Sequence, residues 1–128
     1  RDWSSDVCSS DLKRAGSKWN VKEVVGHLVD SAVNHHQLWV RLHDGDLRFP
    51  PYEQERWVER AGYADFPWQD LVRLWAGHNR LMASVAMQVP VEALHHRWLD
   101  KERDLKELLD HYVDHLRHHL AAIEGALD

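Results

Sequence analysis

Cysteine is nearly absent from this chain. Cys8 is the only one in 128 residues, which excludes an internal disulfide framework and fits a reducing cytoplasm. No apolar run approaches the ~18 residues needed to cross a bilayer, and no charged-then-apolar leader is visible. Basic residues are in the minority, 16 against 21 acidic ones for a formal net charge of -5, which argues against nucleic acid as the main partner. Proline occurs four times and acts as punctuation between long segments. No strand-like alternation and no internal repeat is present. What remains is the expectation of one small cytoplasmic all-α domain with a single core and neither membrane nor nucleic acid as partner.

Against these shortages stand 11 histidines and 7 tryptophans. Histidine is the commonest metal ligand and the side chain most readily protonated near neutral pH.

The first dozen residues read unlike the rest. Asp2-Trp3-Ser4-Ser5-Asp6-Val7-Cys8-Ser9-Ser10-Asp11-Leu12 has no periodicity, and ordinary codons back-translate it into a short-read sequencing adapter. The expectation is that residues 1–12 are a non-native, adapter-like segment and that residues 13–128 form an N-terminally truncated helical domain. Removing Arg1, Asp2, Asp6 and Asp11 leaves a net charge of -3. It also removes Cys8, so the remaining chain has no thiol nucleophile of its own.

From Trp19 to about His43, apolar residues at Val21, Val24, Val25, Leu28, Ala32, Trp39 and Leu42 follow the three-and-four spacing of an amphipathic helix. Ser17 is placed to cap it and Asp44-Gly45-Asp46 to stop it. Phe49-Pro50-Pro51-Tyr52 cannot begin a helix, because proline lacks an amide donor and restricts the residue before it. A loop should therefore run into a short helix over about Glu53 to Arg60. A second long helix should start near Pro67 and run to about Met87, with Pro90 closing it. Val91 to Trp98 reads as at most one or two helical turns before a polar connection. The last helix, about Asp104 to Ala126, carries Leu105, Leu108, Leu109, Tyr112, Leu116, Leu120 and Ile123 on one stripe. Three long helices joined by loops predict an antiparallel up-and-down bundle.

The last helix holds His111, His115, His118 and His119. At about 100° per residue its apolar stripe centres near Leu116 and Ile123. His119 then falls inside the stripe and His115 at its edge, while His111 and His118 point outside. His115 and His119 are four apart, so their rings share a face and can share an ion. Leaving two imidazoles unpaired beside leucines would be costly, which favours the ligand role. The pair His111 and His115 is the rival, and helix-surface histidines without metal are the plain alternative. His27 lies roughly 120° from the apolar centre of its own helix, beside Ser31 and Asn34, and periodicity alone does not assign it.

Three segments resemble the YfiT-type branch of the DinB superfamily. These are Trp19-Asn20-Val21-Lys22-Glu23-Val24-Val25-Gly26-His27-Leu28-Val29-Asp30-Ser31 with Asn34, then Phe49-Pro50-Pro51-Tyr52-Glu53 followed by Trp57, then Tyr112-Val113-Asp114-His115-Leu116-Arg117-His118-His119. They occur in order and span nearly all of Lys18 to Glu124. The resemblance implies a four-helix bundle whose first helix would precede Trp19, and it places metal ligands on His27, His115 and His119. Gly26 stands where some relatives have another histidine, and Asp114 where an aromatic residue often precedes the ligand.

Three neutral imidazoles would leave a zinc or nickel ion with open coordination, the usual arrangement for catalysis. Such an ion would activate water in a hydrolase, or the thiol of a low-molecular-weight co-substrate in an S-transferase, the activity that the resemblance favours. Asp30 and Asp114 are candidate carboxylates for orienting the ligands and serving catalysis. Asn34, Tyr52 and Trp57 are candidates for lining the pocket of a small-molecule substrate. A homodimer is a candidate assembly. The alternative reading is a non-catalytic metal-binding or stress-response bundle.

Overall fold

Asn20 begins the first helix by a reciprocal exchange with Glu23. Its side chain accepts from the Glu23 amide at 2.8 Å, and its own amide donates to Glu23 Oε1 at 3.1 Å. A cap of this kind stabilises a helix start by about 1 kcal/mol. In this computed structural model, which describes residues 19–127, the cap is thus Asn20 and not Ser17, which lies outside the described residues.

Helix α1 spans Val21–Arg41, α2 Gln54–Ala61, α3 Trp68–Gln88 and α4 Leu105–Leu127. Pro67 sits at the N-cap of α3, where its missing amide costs nothing. Gly62 ends α2 at φ 67° and ψ 43°, a left-handed conformation open to glycine without strain. The order and bounds follow the sequence periodicity to within a few residues.

Helix α1 is the centre of the bundle, packed against both α3 and α4. Every residue from Val24 to Ala32 is buried as a result. One half of the core joins Val24, Val25, Leu28 and Val29 to Trp68 and Leu71. The other joins Ala32, Leu38, Trp39 and Leu42 to Met82, Leu105, Leu108 and Tyr112. Leu116 on α4 packs against both. Fully burying one such side chain contributes about 1.5–3 kcal/mol, so the seam along α1 dominates stability.

The segment read as helical turns between Val91 and Trp98 is helical only over Val91–Ala93. It then forms a small antiparallel hairpin, β1 at Arg97–Trp98 and β2 at Arg103–Asp104. Strands of two residues are too short to show alternation in the sequence. Tertiary bonds hold them instead. The Leu47 amide donates to the Arg97 carbonyl and the Leu99 amide to the Leu47 carbonyl, both at 2.9 Å. Asp46 Oδ1 accepts from the Arg97 amide and Asp100 Oδ1 from the Phe49 amide, each at 2.8 Å. Trp98 Nε1 donates to the Phe49 carbonyl at 2.7 Å. The hairpin is thereby bolted to the loop that delivers Pro51 and Tyr52.

Candidate metal centre

The two long helices α1 and α4 bring His27, His115 and His119 together. Nε2 of His115 lies 3.2 Å from Nε2 of His27 and 3.1 Å from Nε2 of His119. One nitrogen from each of the three falls within 4.8 Å of the others. Ligand bonds of about 2.0–2.1 Å around a tetrahedral ion put its nitrogens about 3.3 Å apart, so these separations fit one shared ion. The rings meet edge-on, at interplanar angles of 70° to 83°. Each can aim a lone pair at a common point without stacking on its neighbours.

Electrostatics agrees with that arrangement. Burial, then the neighbouring His115 and His119, push the His27 pKa down to about 3. Burial, then His111 and His118, lower that of His115. Both are therefore neutral near pH 7, the form a metal ion needs. His27 is only 1% exposed, and its Nδ1 has no hydrogen-bond partner among the described residues. A buried imidazole with so little hydrogen bonding is costly unless its other nitrogen is used. Trp19 lies over the His27 ring at a centroid distance of 4.9 Å and helps to close that side.

His27 is deeper than its wheel position implied. The 120° offset would place it at a helix boundary only if α1 had an exposed face beside it, and α1 is enclosed along that stretch. On α4 the structure brings together the pair that the wheel selected. His115 and His119 converge, whereas His111 stacks on His115 at 5.9 Å without entering the cluster and is exposed.

An open cavity of about 700 Å³ adjoins the centre, lined by His115, His111, Ser31, His35 and Tyr52, with the hairpin and α2 forming its walls. His35 was not singled out in the sequence. It is one turn beyond Ser31, whose carbonyl its Nδ1 meets at 2.8 Å, and burial pushes its pKa down to about 4. A spacing of His27, Ser31 and His35, each four apart, was the available signal. Tyr52 bonds to the Ser31 hydroxyl, and burial with the nearby Asp30 carboxyl pushes its phenol up to about 12.

The remaining candidates separate. Asp30 is buried and accepts a hydrogen bond from the Tyr63 hydroxyl. Burial raises its carboxyl to about 6 against the opposing effect of that bond. No hydrogen bond joins it to a ligand histidine among the described residues. Asp114 is exposed and likewise makes none with them. Asn34 is buried, donates to the Asp30 carbonyl at 2.8 Å, and lines a neighbouring cleft of about 460 Å³. Trp57 borders that same cleft and packs edge-on against Tyr52 at 5.3 Å. Tyr52 alone of these borders both spaces.

Gly26 explains itself in the structure. A Cβ there would meet the Tyr63 ring at 2.2 Å, so any larger side chain at that position is excluded while Tyr63 lies on α1.

A protein of Oceanobacillus iheyensis named "Putative metal-dependent hydrolase" is 27% identical over 122 residues, covering 92% of this chain and 69% of its own length. No solved structure matches. No helix of the described residues is long and apolar enough to cross a membrane. The DinB superfamily profile matches residues 10–123, and the chain belongs to that superfamily.

Proposed function

We propose that this protein is a divalent-metal-dependent enzyme in which His27, His115 and His119 hold a zinc or nickel ion for reaction with a small molecule. The observation that carries the reading is the approach of the three Nε2 atoms at 3.1 and 3.2 Å, beside a cavity that His115 also lines. An ion on three neutral imidazoles keeps open positions and supplies the Lewis acidity that makes a thiol or a water molecule a competent nucleophile near neutral pH.

The chain's own residues do the rest. The ligand helices and the cavity lining carry no cysteine, and in this reading the thiol nucleophile belongs to a low-molecular-weight co-substrate. In the transferase form of the reaction, its sulfur bonds to an electrophilic carbon, the leaving group departs with the electron pair, and the thiol proton passes to solvent. In the hydrolase form, water takes the place of the thiol. Tyr52 keeps its phenolic proton at physiological pH and offers a hydrogen bond at the cavity wall. Asp30, with its carboxyl near 6, can hold or release a proton near neutrality and acts on the site through its hydrogen bond from Tyr63 and its charge near Tyr52. Asn34 and Trp57 shape the adjoining cleft.

The experiment is metal analysis of purified wild type and His115→Ala, followed by assays of thiol conjugation to an electrophile and of ester or amide hydrolysis. One metal per chain that the variant loses, with activity following the metal, is the expected result. Metal-free wild type that gains neither stability nor activity from zinc or nickel sinks the reading. Conjugation without hydrolysis selects the transferase form, and the reverse selects the hydrolase.

A further inference from the structure

The cavity beside the metal centre is lopsided in charge. One wall is the β1–β2 hairpin, which contributes Trp98, Lys101 and Arg103, and another is α2 with the residues just before it. The three aspartates of the hairpin region accept from backbone amides, Asp46 from Arg97, Asp100 from Phe49, and Asp104 from Glu107, each at 2.8 Å, while Glu102 is exposed at the turn and is absent from the cavity lining. Neither Lys101 nor Arg103 forms an ion pair with another described residue. Two cations therefore stand together on the hairpin wall of the cavity, while the carboxylates that line it, Glu53, Glu55 and Glu59, belong to α2 and the residue before it.

Their placement is built into the backbone. Arg103 pairs with Trp98 across the hairpin, and Trp98 is anchored through Nε1 to the Phe49 carbonyl. Between the cations, Glu102 has φ 52°. It is the only non-glycine residue with positive φ among the described residues. A side-chain-bearing residue held in the left-handed region is strained, and such strain gathers where a turn must present particular groups. Here the tight reversal sets Lys101 and Arg103 on the cavity's rim while the strands remain fixed to the Leu47–Phe49 loop.

We infer that Lys101 and Arg103 form an anion subsite that docks a carboxylate, or a similar anionic group, at the end of the substrate remote from the metal centre. The hairpin's contribution is orientation: it draws the anionic end to one wall and leaves the reactive end beside His115. On the α2 wall Glu53 is paired with Arg56 at 2.8 Å, but with Glu55 and Glu59 the carboxylates outnumber that cation, so this wall disfavours the same group and sets the direction of binding. The inference rests on the proposed metal centre, but it holds for either nucleophile.

The test uses cobalt(II)-loaded full-length chain and three thiols that differ only at the far end: 6-mercaptohexanoate, 6-mercaptohexanol and 6-aminohexanethiol. Thiolate-to-cobalt absorption reports binding of each. The carboxylate should bind about three- to tenfold tighter than the alcohol, as expected for two solvent-exposed charge contacts, and the amine more weakly than both. The carboxylate's advantage should vanish in Lys101→Ala/Arg103→Ala with the alcohol's affinity unchanged. In wild type it should also shrink as salt is raised to about 0.5 M, a measurement that needs no variant. Equal affinities for the three thiols, preference for the amine, or an advantage that survives both the substitutions and salt would overturn the subsite while leaving the metal centre standing. Absence of the absorption band with every thiol would instead defeat the metal reading, and the subsite with it.

Discussion

Nε2 of His27 and Nε2 of His115 lie 3.2 Å apart although 88 positions separate them in the chain. Their approach depends on α1 lying between α3 and α4, so assembly of the bundle and assembly of the site are one event. Metal should therefore act as a folding ligand. Because binding free energy is gained only by the native state, zinc or nickel at a hundredfold excess over its dissociation constant should stabilise the wild type by about 2.7 kcal/mol. The gain should be absent in His27→Ala, His115→Ala and His119→Ala and kept in His111→Ala, whose ring only stacks beside His115. Thermal unfolding with and without metal checks this. Equal stabilisation of all four variants would place the ion elsewhere.

The second prediction concerns acid. His27 has a folded pKa of about 3 against an ordinary 6.5. The unfolded chain thus binds the proton first, and stability that is complete above pH 6.5 is lost as pH falls from there toward 3. One proton is worth about 1.4 kcal/mol per pH unit at most, so His27 alone should account for about 1–2 kcal/mol between pH 6.5 and 5. Denaturant unfolding of metal-free wild type and metal-free His27→Gln across that range isolates it. The variant's stability should change less by that amount, and parallel curves would contradict the burial of His27 as a neutral ring.

Much of this was legible in the sequence because α3 and α4 each keep one face to solvent. Periodicity then separates core from surface, and on α4 it selected His115 and His119, the pair that the structure brings to His27, over His111. Helix α1 obeys a different rule. With both neighbours packed on it, consecutive residues from Val24 to Ala32 are all buried, so no wheel could distinguish a ligand from a boundary residue, and His27 was reached through resemblance. The hairpin was illegible for another reason. Its four strand residues are held by Asp46, Phe49 and Asp100, contacts about 50 positions away that leave no local pattern. Tyr63 escaped notice because its role depends on an absence, the missing side chain of Gly26.

That absence gives the third prediction. In the interior of an exposed helix, Gly→Ala is worth about 1 kcal/mol of added stability. At Gly26 the added methyl would lie 2.2 Å from the Tyr63 ring, an overlap that requires the ring to leave. Overpacking costs about 1–3 kcal/mol, and loss of the Tyr63–Asp30 hydrogen bond adds about 1. The clash should win, and Gly26→Ala should destabilise by about 1–3 kcal/mol net, measured by denaturant unfolding. In Tyr63→Ala, which clears the space, the same change should become neutral or stabilising. A Gly26→Ala protein as stable as wild type would show that Tyr63 does not rest on α1.

Asp30 supplies the last prediction, because its two contributions can be separated by chemistry. Its carboxyl stands near 6 in the fold against 3.8 unfolded, raised by burial and held back by the Tyr63 hydroxyl. The folded chain takes up the proton first, so the stability contribution is complete below about 3.8 and is lost as pH rises through 6, the reverse of His27. Asp30→Asn keeps an oxygen to accept from Tyr63 and never bears the charge. It should therefore match or exceed wild type at pH 7, by about 1–3 kcal/mol in the upper limit of a dry site, and converge with it near pH 4. Tyr63→Phe removes the bond that favours the ionised form, so it should lower stability by about 1–2 kcal/mol at pH 7 and shift the Asp30 transition to higher pH. If Asp30→Asn is instead less stable at pH 7, the carboxylate has a cationic or proton-donating partner beyond Tyr63, and its charge belongs to the site rather than opposing the fold.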